Sequence, residues 1–168
     1  MQLTEFNQAE KEHKAQALRR CCSAERWVQR MLKAGPFDSK SDLLESARIH
    51  WAAMSDDDWL EAFEGHPMIG DMDSLRKKYA ASKGLSEREQ SGVDQASEAT
   101  LQALADCNQR YLSRHGFIFI VFATGKSADQ MLSLIRQCLE QPTENERKRA
   151  AAEQLKITLL RLDQLIDA

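Results

Sequence analysis

Apolar residues recur at intervals of three and four along most of this chain, which is the spacing of residues on one face of an α-helix. Four such stripes stand out, and we predict that each is the buried face of an amphipathic helix. They are Leu44, Ala47 and Trp51; Val93, Ala96, Thr100, Leu104, Cys107 and Tyr111; Met131, Ile135 and Cys138; and Leu155, Leu159, Leu162 and Ile166.

Glycine, proline and capping residues divide these stripes into separate elements. We predict a turn at residues 3–7, helices over about 10–22, 24–33, 72–82, 86–114 and 143–166, and further helices that begin at Ser41, Ser55 and Ser127. Gly65 and Gly116 are expected to end helices, and Thr143 with Glu146 has the spacing of a capping box.

One run favours a strand rather than a helix. Residues 117–123 are rich in phenylalanine and β-branched residues, yet no partner strand is evident anywhere in the chain. We therefore predict a buried connection or an extended helix start. The fold prediction is all-α, with a single compact domain over residues 1–168 and about eight or nine helices.

Composition restricts the class of protein. The chain has 168 residues, 42% of them hydrophobic, and a net charge of −3 from mixed acidic and basic residues, so a nucleic-acid partner is not expected. The longest apolar run is too short for a membrane span, and neither a secretory signal nor a peroxisomal tail is visible, which favours the cytoplasm. The four cysteines show no metal-binding or disulfide spacing.

His66 is the first candidate for chemistry. It lies between Gly65 and Pro67 at a predicted helix end, where the backbone is stiff, and an imidazole can donate or accept a proton near neutral pH. A surface loop histidine would have the same local sequence. No two histidines are spaced for a helix-borne metal pair.

Two further signals are ambiguous on their own. The segment from Ser86 through Glu87, Arg88 and Glu89 to Gln90 has capping-box spacing, but a helix N-terminus can also bind an anion beside a carboxylate that transfers protons. Arg161 shares a helix strip with Ile157 and Leu165, so its guanidinium either reaches the surface or enters a cavity to bind a carboxylate.

Taken together, four spaced motifs are much more specific than any one of them. They are Gly65-His66-Pro67 with Ile69-Gly70; Ser86-Glu87-Arg88-Glu89-Gln90 with Gly92; Gly116-Phe117-Ile118-Phe119-Ile120 through Ala123-Thr124-Gly125-Lys126; and Lys156-Ile157-Thr158 with Arg161-Leu162. In this order they resemble the OHCU decarboxylase family (2-oxo-4-hydroxy-4-carboxy-5-ureidoimidazoline decarboxylase), and the resemblance covers almost the whole chain.

The resemblance implies an all-helical homodimer that needs neither metal nor organic cofactor and converts OHCU to (S)-allantoin in urate breakdown. It implies His66 and Glu89 as catalytic residues. It also implies a set of substrate-binding positions, namely Pro67, Ser86, Glu87, Arg88, Gln90, the backbone of Phe119, Ile120, Val121, Phe122 and Ala123, and Arg161. Which of His66 and Glu89 donates a proton and which accepts one is left open. No fused hydrolase domain is recognised, so the preceding hydrolysis is expected to come from a separate protein.

Two alternatives remain at this stage. A helical interaction module would use the same residues as caps and turns, and it would be favoured if no cavity joined His66, Glu89 and Arg161. A metal-dependent hydrolase would need clustered ligands, for which only His66 and carboxylates are available.

Overall fold

Nine α-helices follow one another in the part of the chain that the computed structural model describes, and no strand occurs there. The described residues are 1–68, 70–79 and 87–167, with side chains described outside 87–97. The helices are α1 Leu3–Gln8, α2 Lys11–Cys21, α3 Glu25–Ala34, α4 Lys40–Ala52, α5 Asp56–Glu64, α6 Met72–Tyr79, α7 Glu87–His115, α8 Ala128–Leu139 and α9 Thr143–Leu165. The all-α prediction is confirmed. Among the described residues, no helix has the length and apolar content needed to cross a membrane.

Helix ends follow local chemistry. Ser55 and Ser127 cap α5 and α8, each accepting a backbone N–H from the third helical residue, as predicted. Gly65 follows the last residue of α5, and Gly116 follows α7 with a φ of 79°, a conformation that glycine adopts without a steric penalty. The run at residues 117–123 is an irregular connection between α7 and α8, as predicted, but only Phe117 and Ile120 within it are buried.

Two predicted caps are wrong. Ser39, not Ser41, caps α4, because its hydroxyl accepts the N–H of Asp42 and the helix already begins at Lys40. Thr143 is the first residue of α9 and not its cap, since the carbonyl of Pro142 accepts the first helical N–H. The predicted cap at Ser86 and the helix end at residue 82 lie outside the described residues.

The chain divides into two units, which are described separately. Unit 1 comprises residues 1–66, 120–122 and 147–168. Within it α3 packs against α2, α4 and α5, and its Trp27 is fully buried and donates from Nε1 to the carbonyl of Ala47 at 3.2 Å. Trp51 of α4 donates to the carbonyl of Ala151 in α9 at 3.0 Å, which ties the early helices of this unit to the last one.

Unit 2 comprises residues 67–119 and 123–146. Here α7 packs against α6 and α8, and the predicted stripe Met131, Ile135 and Cys138 is buried. Tyr111 is fully buried and its hydroxyl donates to the carboxylate of Glu146 at 2.7 Å. The prediction of one domain over the whole chain stays a prediction.

Three predicted stripes include positions that are displaced by one residue from the buried ones, although other members, such as Ala47, Leu104 and Leu162, are buried as predicted. The structure buries Leu43, Leu101, Gln154 and Thr158 where the prediction had Leu44, Thr100, Leu155 and Leu159, which are half-buried. One residue rotates a helix position by about 100°, so an apolar neighbour can be mistaken for the buried one. Val93 and Ala96 also belong to a predicted buried stripe, but their side chains lie outside the described part of the structure.

Candidate active site

His66 is positioned by the C-terminal end of α5. Its backbone N–H donates to the carbonyl of Phe63 at 3.1 Å, so the residue stays attached to the last helical turn. Gly65 before it packs directly on Ser23: an added Cβ would lie 2.1 Å from the Ser23 hydroxyl oxygen and 2.8 Å from its Cβ. Only glycine fits this approach, and the end of α5 is thereby fixed against the segment between α2 and α3.

A cavity of about 510 Å³ opens beside His66 within unit 1. This volume lies in the range of small-molecule sites. The lining comes from α2, the end of α5 and α9, and consists of Ala17, Arg19, Arg20, Cys21, Ser23, Ala62, Gly65, His66, Gln154, Arg161, Gln164 and Leu165. The cavity therefore brings together His66 and Arg161, two residues that the sequence singled out and that lie far apart along the chain.

The lining is cationic. Arg19, Arg20 and Arg161 contribute guanidinium groups, and no Asp or Glu lines the cavity among the described residues. Arg19 is neutralised by Glu25, to which Nε and Nη2 donate at 2.8 and 3.0 Å. Arg20 contacts no carboxylate in the described part of the chain. The cavity thus suits a ligand that carries an anionic group.

Arg161 reaches into the cavity instead of extending along the surface of its helix. Its Nη1 donates to the carbonyl of Cys21 at 3.3 Å, and the Arg20 carbonyl lies 3.5 Å away. These carbonyls lie at the C-terminal end of α2, where a cation is favoured by the helix dipole. Arg161 is therefore held by α2, and the other nitrogens of its guanidinium can serve a ligand.

His66 contacts one buried polar side chain of α9, which in turn is bonded to a second. Its Nε2 lies 2.5 Å from Oε1 of Gln154, and Nε2 of Gln154 donates to the hydroxyl of Thr158 at 3.1 Å. Both α9 residues are fully buried, at 0% exposure. The Thr158 side chain also acts to lower the pKa of the nearby Cys22 thiol, against the larger opposite effect of burial. We refer to His66, Gln154 and Thr158 as the polar chain.

These surroundings lower the pKa of His66. Burial is the main cause, because it disfavours the charged imidazolium, and the Arg161 cation acts in the same direction. The hydrogen bond to Gln154 opposes both but does not outweigh them. At neutral pH the ring is therefore neutral and has one nitrogen lone pair that can accept a proton.

The connection at residues 120–122 is attached to α9 by two hydrogen bonds. The N–H of Phe122 donates to Glu153 at 2.7 Å, and Nη1 of Arg149 donates to the carbonyl of Ile120 at 2.9 Å. Burial acts to raise the pKa of Glu153, but Lys156 and the Phe122 N–H outweigh it and lower the value. The N–H of Phe122 and the carbonyl of Ile120 thus have partners within unit 1, whereas the family resemblance implies that they bind the substrate.

The other predicted site residues fall into three groups. Val121 lies between Ile120 and Phe122, which are bonded to α9. Phe119 and Ala123 belong to unit 2, where Phe119 packs edge-on against Tyr111. Pro67 follows His66 and is exposed. Ser86 lies outside the described residues, and Glu87, Arg88, Glu89 and Gln90 form the first turn of α7 with only their backbone described. The predicted pairing of Glu89 with His66 stays a prediction.

Gln154 and Thr158 are the site residues that the sequence reasoning missed. A signal was present, because residues 154, 158, 162 and 166 are spaced by four and the last two were correctly assigned to the core. Hydrophobicity favoured Leu155 and Leu159 instead. Two polar residues in phase with a buried stripe indicate a buried hydrogen-bond partner elsewhere in the fold.

Comparison with known proteins gives a consistent result. The model of the family described as OHCU decarboxylase matches residues 7–163. The uric acid degradation bifunctional protein TTL of Arabidopsis thaliana is 32% identical over 145 residues, which are 86% of this chain and 45% of that protein. The bifunctional protein PucL of Bacillus subtilis (strain 168) is 26% identical over 141 residues, 83% of this chain and 28% of that protein. The chain thus spans less than half the length of these curated relatives.

Two solved structures share the fold. A crystal structure of OHCU decarboxylase in the presence of (S)-allantoin is 32% identical, covers 94% of this chain and 98% of its own, and superposes with a TM-score of 0.72. A crystal structure of (S)-allantoin synthase superposes with the same score at 17% identity, over 99% of this chain and 55% of its own, and it supports the fold alone.

Proposed function

Since this chain belongs to the OHCU decarboxylase family, we propose that it catalyses the decarboxylation of OHCU to (S)-allantoin in urate breakdown, without a cofactor. The predictions of family and fold are confirmed by the comparisons, and the predicted decarboxylase class is confirmed at the level of the family. The observation that carries the proposal is the cavity in which a neutral His66 stands beside Arg161.

The substrate explains why such a site suffices. OHCU carries a carboxylate and a hydroxyl on one ring carbon, next to an unsaturated C=N group. When the bond to CO2 breaks, its electron pair passes into this unsaturation. The hydroxyl loses its proton to become a carbonyl, and the carbon of the former C=N group takes up a proton on one face. The nitrogen of that group takes up a further proton, which balances the charge lost with the carboxylate. The enzyme has only to orient the carboxylate and to carry these protons.

The described residues support distinct roles in this reaction. Arg161, held by the Cys21 carbonyl, is proposed to bind the carboxylate or a carbonyl group of the substrate. His66 is neutral at pH 7 and is proposed to accept the hydroxyl proton, because a lowered pKa keeps its lone pair available. Glu89, at the start of α7, is proposed as the second proton-transfer group.

The remaining predicted positions complete the proposal. Pro67 and the segment Ser86, Glu87, Arg88 and Gln90 are proposed to bind the ureido and ring atoms, together with backbone groups of residues 119–123 other than the two that α9 occupies. We also propose a cytoplasmic homodimer, on the strength of the family resemblance. Light scattering on the purified protein would test the dimer.

A coupled assay tests the activity. Urate oxidase and the preceding hydrolase generate OHCU in situ, and ultraviolet absorbance and circular dichroism follow its decay in the presence of a chelator. We expect fast, chelator-resistant formation of optically pure (S)-allantoin. Decay no faster than the spontaneous reaction would show that the chain shares only the fold, and a role as a helical interaction module would then be favoured.

Variants in the same assay test the site. His66→Ala should fold normally and lose about 10²–10⁴-fold in kcat, the usual contribution of a positioned acid or base. His13→Ala is the matched control, because His13 is exposed on α2 and does not line the cavity. A His66→Ala protein with wild-type turnover and stereochemistry would remove His66 from the mechanism.

A further inference from the structure

The polar chain links the cavity to the interior of unit 1. Gln154 and Thr158 lie one turn apart on α9, and both are completely inaccessible to solvent. A buried amide is retained only when its donor and acceptor ends are both satisfied. Gln154 meets this requirement with His66 at one end and Thr158 at the other.

The direction of these hydrogen bonds determines where His66 carries its proton. The amide N–H of Gln154 donates to the Thr158 hydroxyl, so its carbonyl oxygen is the end that meets Nε2 of His66. A carbonyl oxygen can only accept, and Nε2 must therefore carry the hydrogen. The Thr158 hydroxyl oxygen has lone pairs with which it accepts the amide N–H, so this arrangement satisfies both ends of the Gln154 amide.

The field of the cavity favours the same arrangement. The charged and titratable groups that line the cavity with His66 are Arg19, Arg20, Cys21 and Arg161. The net positive charge comes from Arg20 and Arg161, because Arg19 is paired with Glu25. Because positive charge attracts a lone pair and repels an N–H hydrogen, it favours a lone pair on Nδ1, the ring nitrogen that Gln154 does not contact. An amide at position 154 also adds no negative charge that would stabilise an imidazolium.

We propose that Gln154, held in orientation by Thr158, is a positioning residue that fixes His66 as the Nε2–H tautomer, so that Nδ1 is the atom that accepts a proton from a ligand in the cavity. The catalytic consequence rests on the proposed function. The tautomer itself is a property of the free protein, and it can be measured whether or not the chain decarboxylates OHCU.

The first test is spectroscopic. Long-range ¹H–¹⁵N correlation on protein labelled at histidine distinguishes the two neutral tautomers, and His66→Ala identifies the His66 signals. We expect the Nε2–H tautomer in the wild type and a mixture in Gln154→Met, which keeps the volume but lacks the acceptor. An Nδ1–H tautomer in the wild type, or an unchanged tautomer in Gln154→Met, overturns the proposal.

Two further variants protect the test against a folding defect in Gln154→Met. Thr158→Val removes the hydroxyl that orients the amide and should also give a tautomer mixture, whereas Thr158→Ser retains the hydroxyl and should restore the wild-type signal. Equal spectra for the valine and serine variants would contradict the role of Thr158. The circular dichroism of each variant verifies its fold.

The pH profile provides a readout that a merely structural role would not change. Gln154→Glu keeps an acceptor for Nε2–H but places a carboxylate beside the ring, so the acidic limb of the activity profile should move up by about one pH unit or more. Gln154→Met should lower kcat about tenfold or more, with a smaller change in KM. If the acidic limb of the pH–activity profile does not move in Gln154→Glu, the proposal is overturned. If the protein has no decarboxylase activity but shows the expected tautomers, only the proposed function is contradicted.

Discussion

Arg161 of α9 donates a hydrogen bond to the carbonyl of Cys21 at the last residue of α2, with a separation of 3.3 Å. This contact turns the guanidinium towards the cavity and places a fixed positive charge near His66. It has two effects, because the same charge that attracts an anionic ligand also disfavours protonation of the imidazole. Arg161 therefore links the binding of an anionic ligand to proton acceptance by His66.

Replacing Arg161 should therefore raise the pKa of His66. In Arg161→Met the cation is lost while most of the side-chain volume is kept, and the imidazolium becomes less unfavourable. NMR titration of the His66 ring would measure this rise. Arg20→Met is the matched control, because Arg20 lines the same cavity but is not among the causes of the His66 shift. A rise of equal size in both variants would contradict a specific effect of Arg161.

The lowered pKa of His66 also predicts a pH dependence of stability. The unfolded chain binds a proton near the ordinary value of 6.5, whereas the folded protein binds it only at lower pH. The free energy of unfolding should therefore fall as pH decreases from about 6.5 to the folded pKa. Urea titrations of the wild type and His66→Asn isolate this contribution, since His50, whose pKa is also lowered, is common to both. If the free energies of unfolding of the two proteins change in parallel with pH, His66 makes no contribution to the pH dependence.

Gly65→Ala should destabilise unit 1 and weaken the site. The new Cβ would collide with Ser23 at a distance of 2.1 Å, and relief requires the end of α5 to move. We expect a loss of about 1–3 kcal/mol in urea denaturation, together with lower activity. Gly70→Ala is the control, because its Cβ would meet only the flexible side chain of Met68, with the terminal methyl at 3.2 Å. Adding Ser23→Gly should restore part of the loss, and no recovery would point to a different cause.

Tyr111→Phe should destabilise unit 2 by about 1–3 kcal/mol. The hydroxyl donates to the buried carboxylate of Glu146, and its removal takes a donor from a group that water cannot reach. Chemical denaturation of Tyr111→Phe, Glu146→Gln and the double variant forms a thermodynamic cycle. Strictly additive losses would show that the two side chains are not coupled.

The adjacent cysteines should resist alkylation in the folded protein. Burial raises the pKa of the Cys21 and Cys22 thiols to about 11, so the reactive thiolate is scarce at pH 8. Stability from the neutral thiols is present below the ordinary value of 9 and should be lost as pH rises towards 11. Mass spectrometry after iodoacetamide treatment, with and without urea, measures the protection. Rapid labelling of both residues without urea would contradict it.

Much of the fold could be predicted because its signals are local. Ser55 and Ser127 act through backbone groups three residues away, and Gly116 adopts a conformation that other residues avoid. Ser39 and Ser41 show the limit, since both are plausible caps and only the position of the first helical turn decides between them. Element type was therefore predictable, while the phase and ends of helices depended on packing.

The candidate site was less predictable because it is built from distant segments. His66 was found from its neighbours, but its partner Gln154 lies 88 residues later, and nothing local marks that contact. Arg161 was ambiguous until the Cys21 carbonyl, 140 residues earlier, fixed its direction. The family resemblance implies a ligand for the backbone of Phe122, but the N–H of that residue donates to the carboxylate of Glu153, a contact that no local sequence pattern marks.

Unit 1 is composed of both ends of the sequence and three residues from between them. A chain leaving the ribosome has made α1 to α5 long before α9, to which Trp51 binds across a separation of 100 residues. Contacts of such range form slowly. The early helices must therefore remain unaggregated while α9 is synthesised. Because α9 also supplies Gln154 and Arg161, the cavity forms only after α9 has packed against the early helices of unit 1.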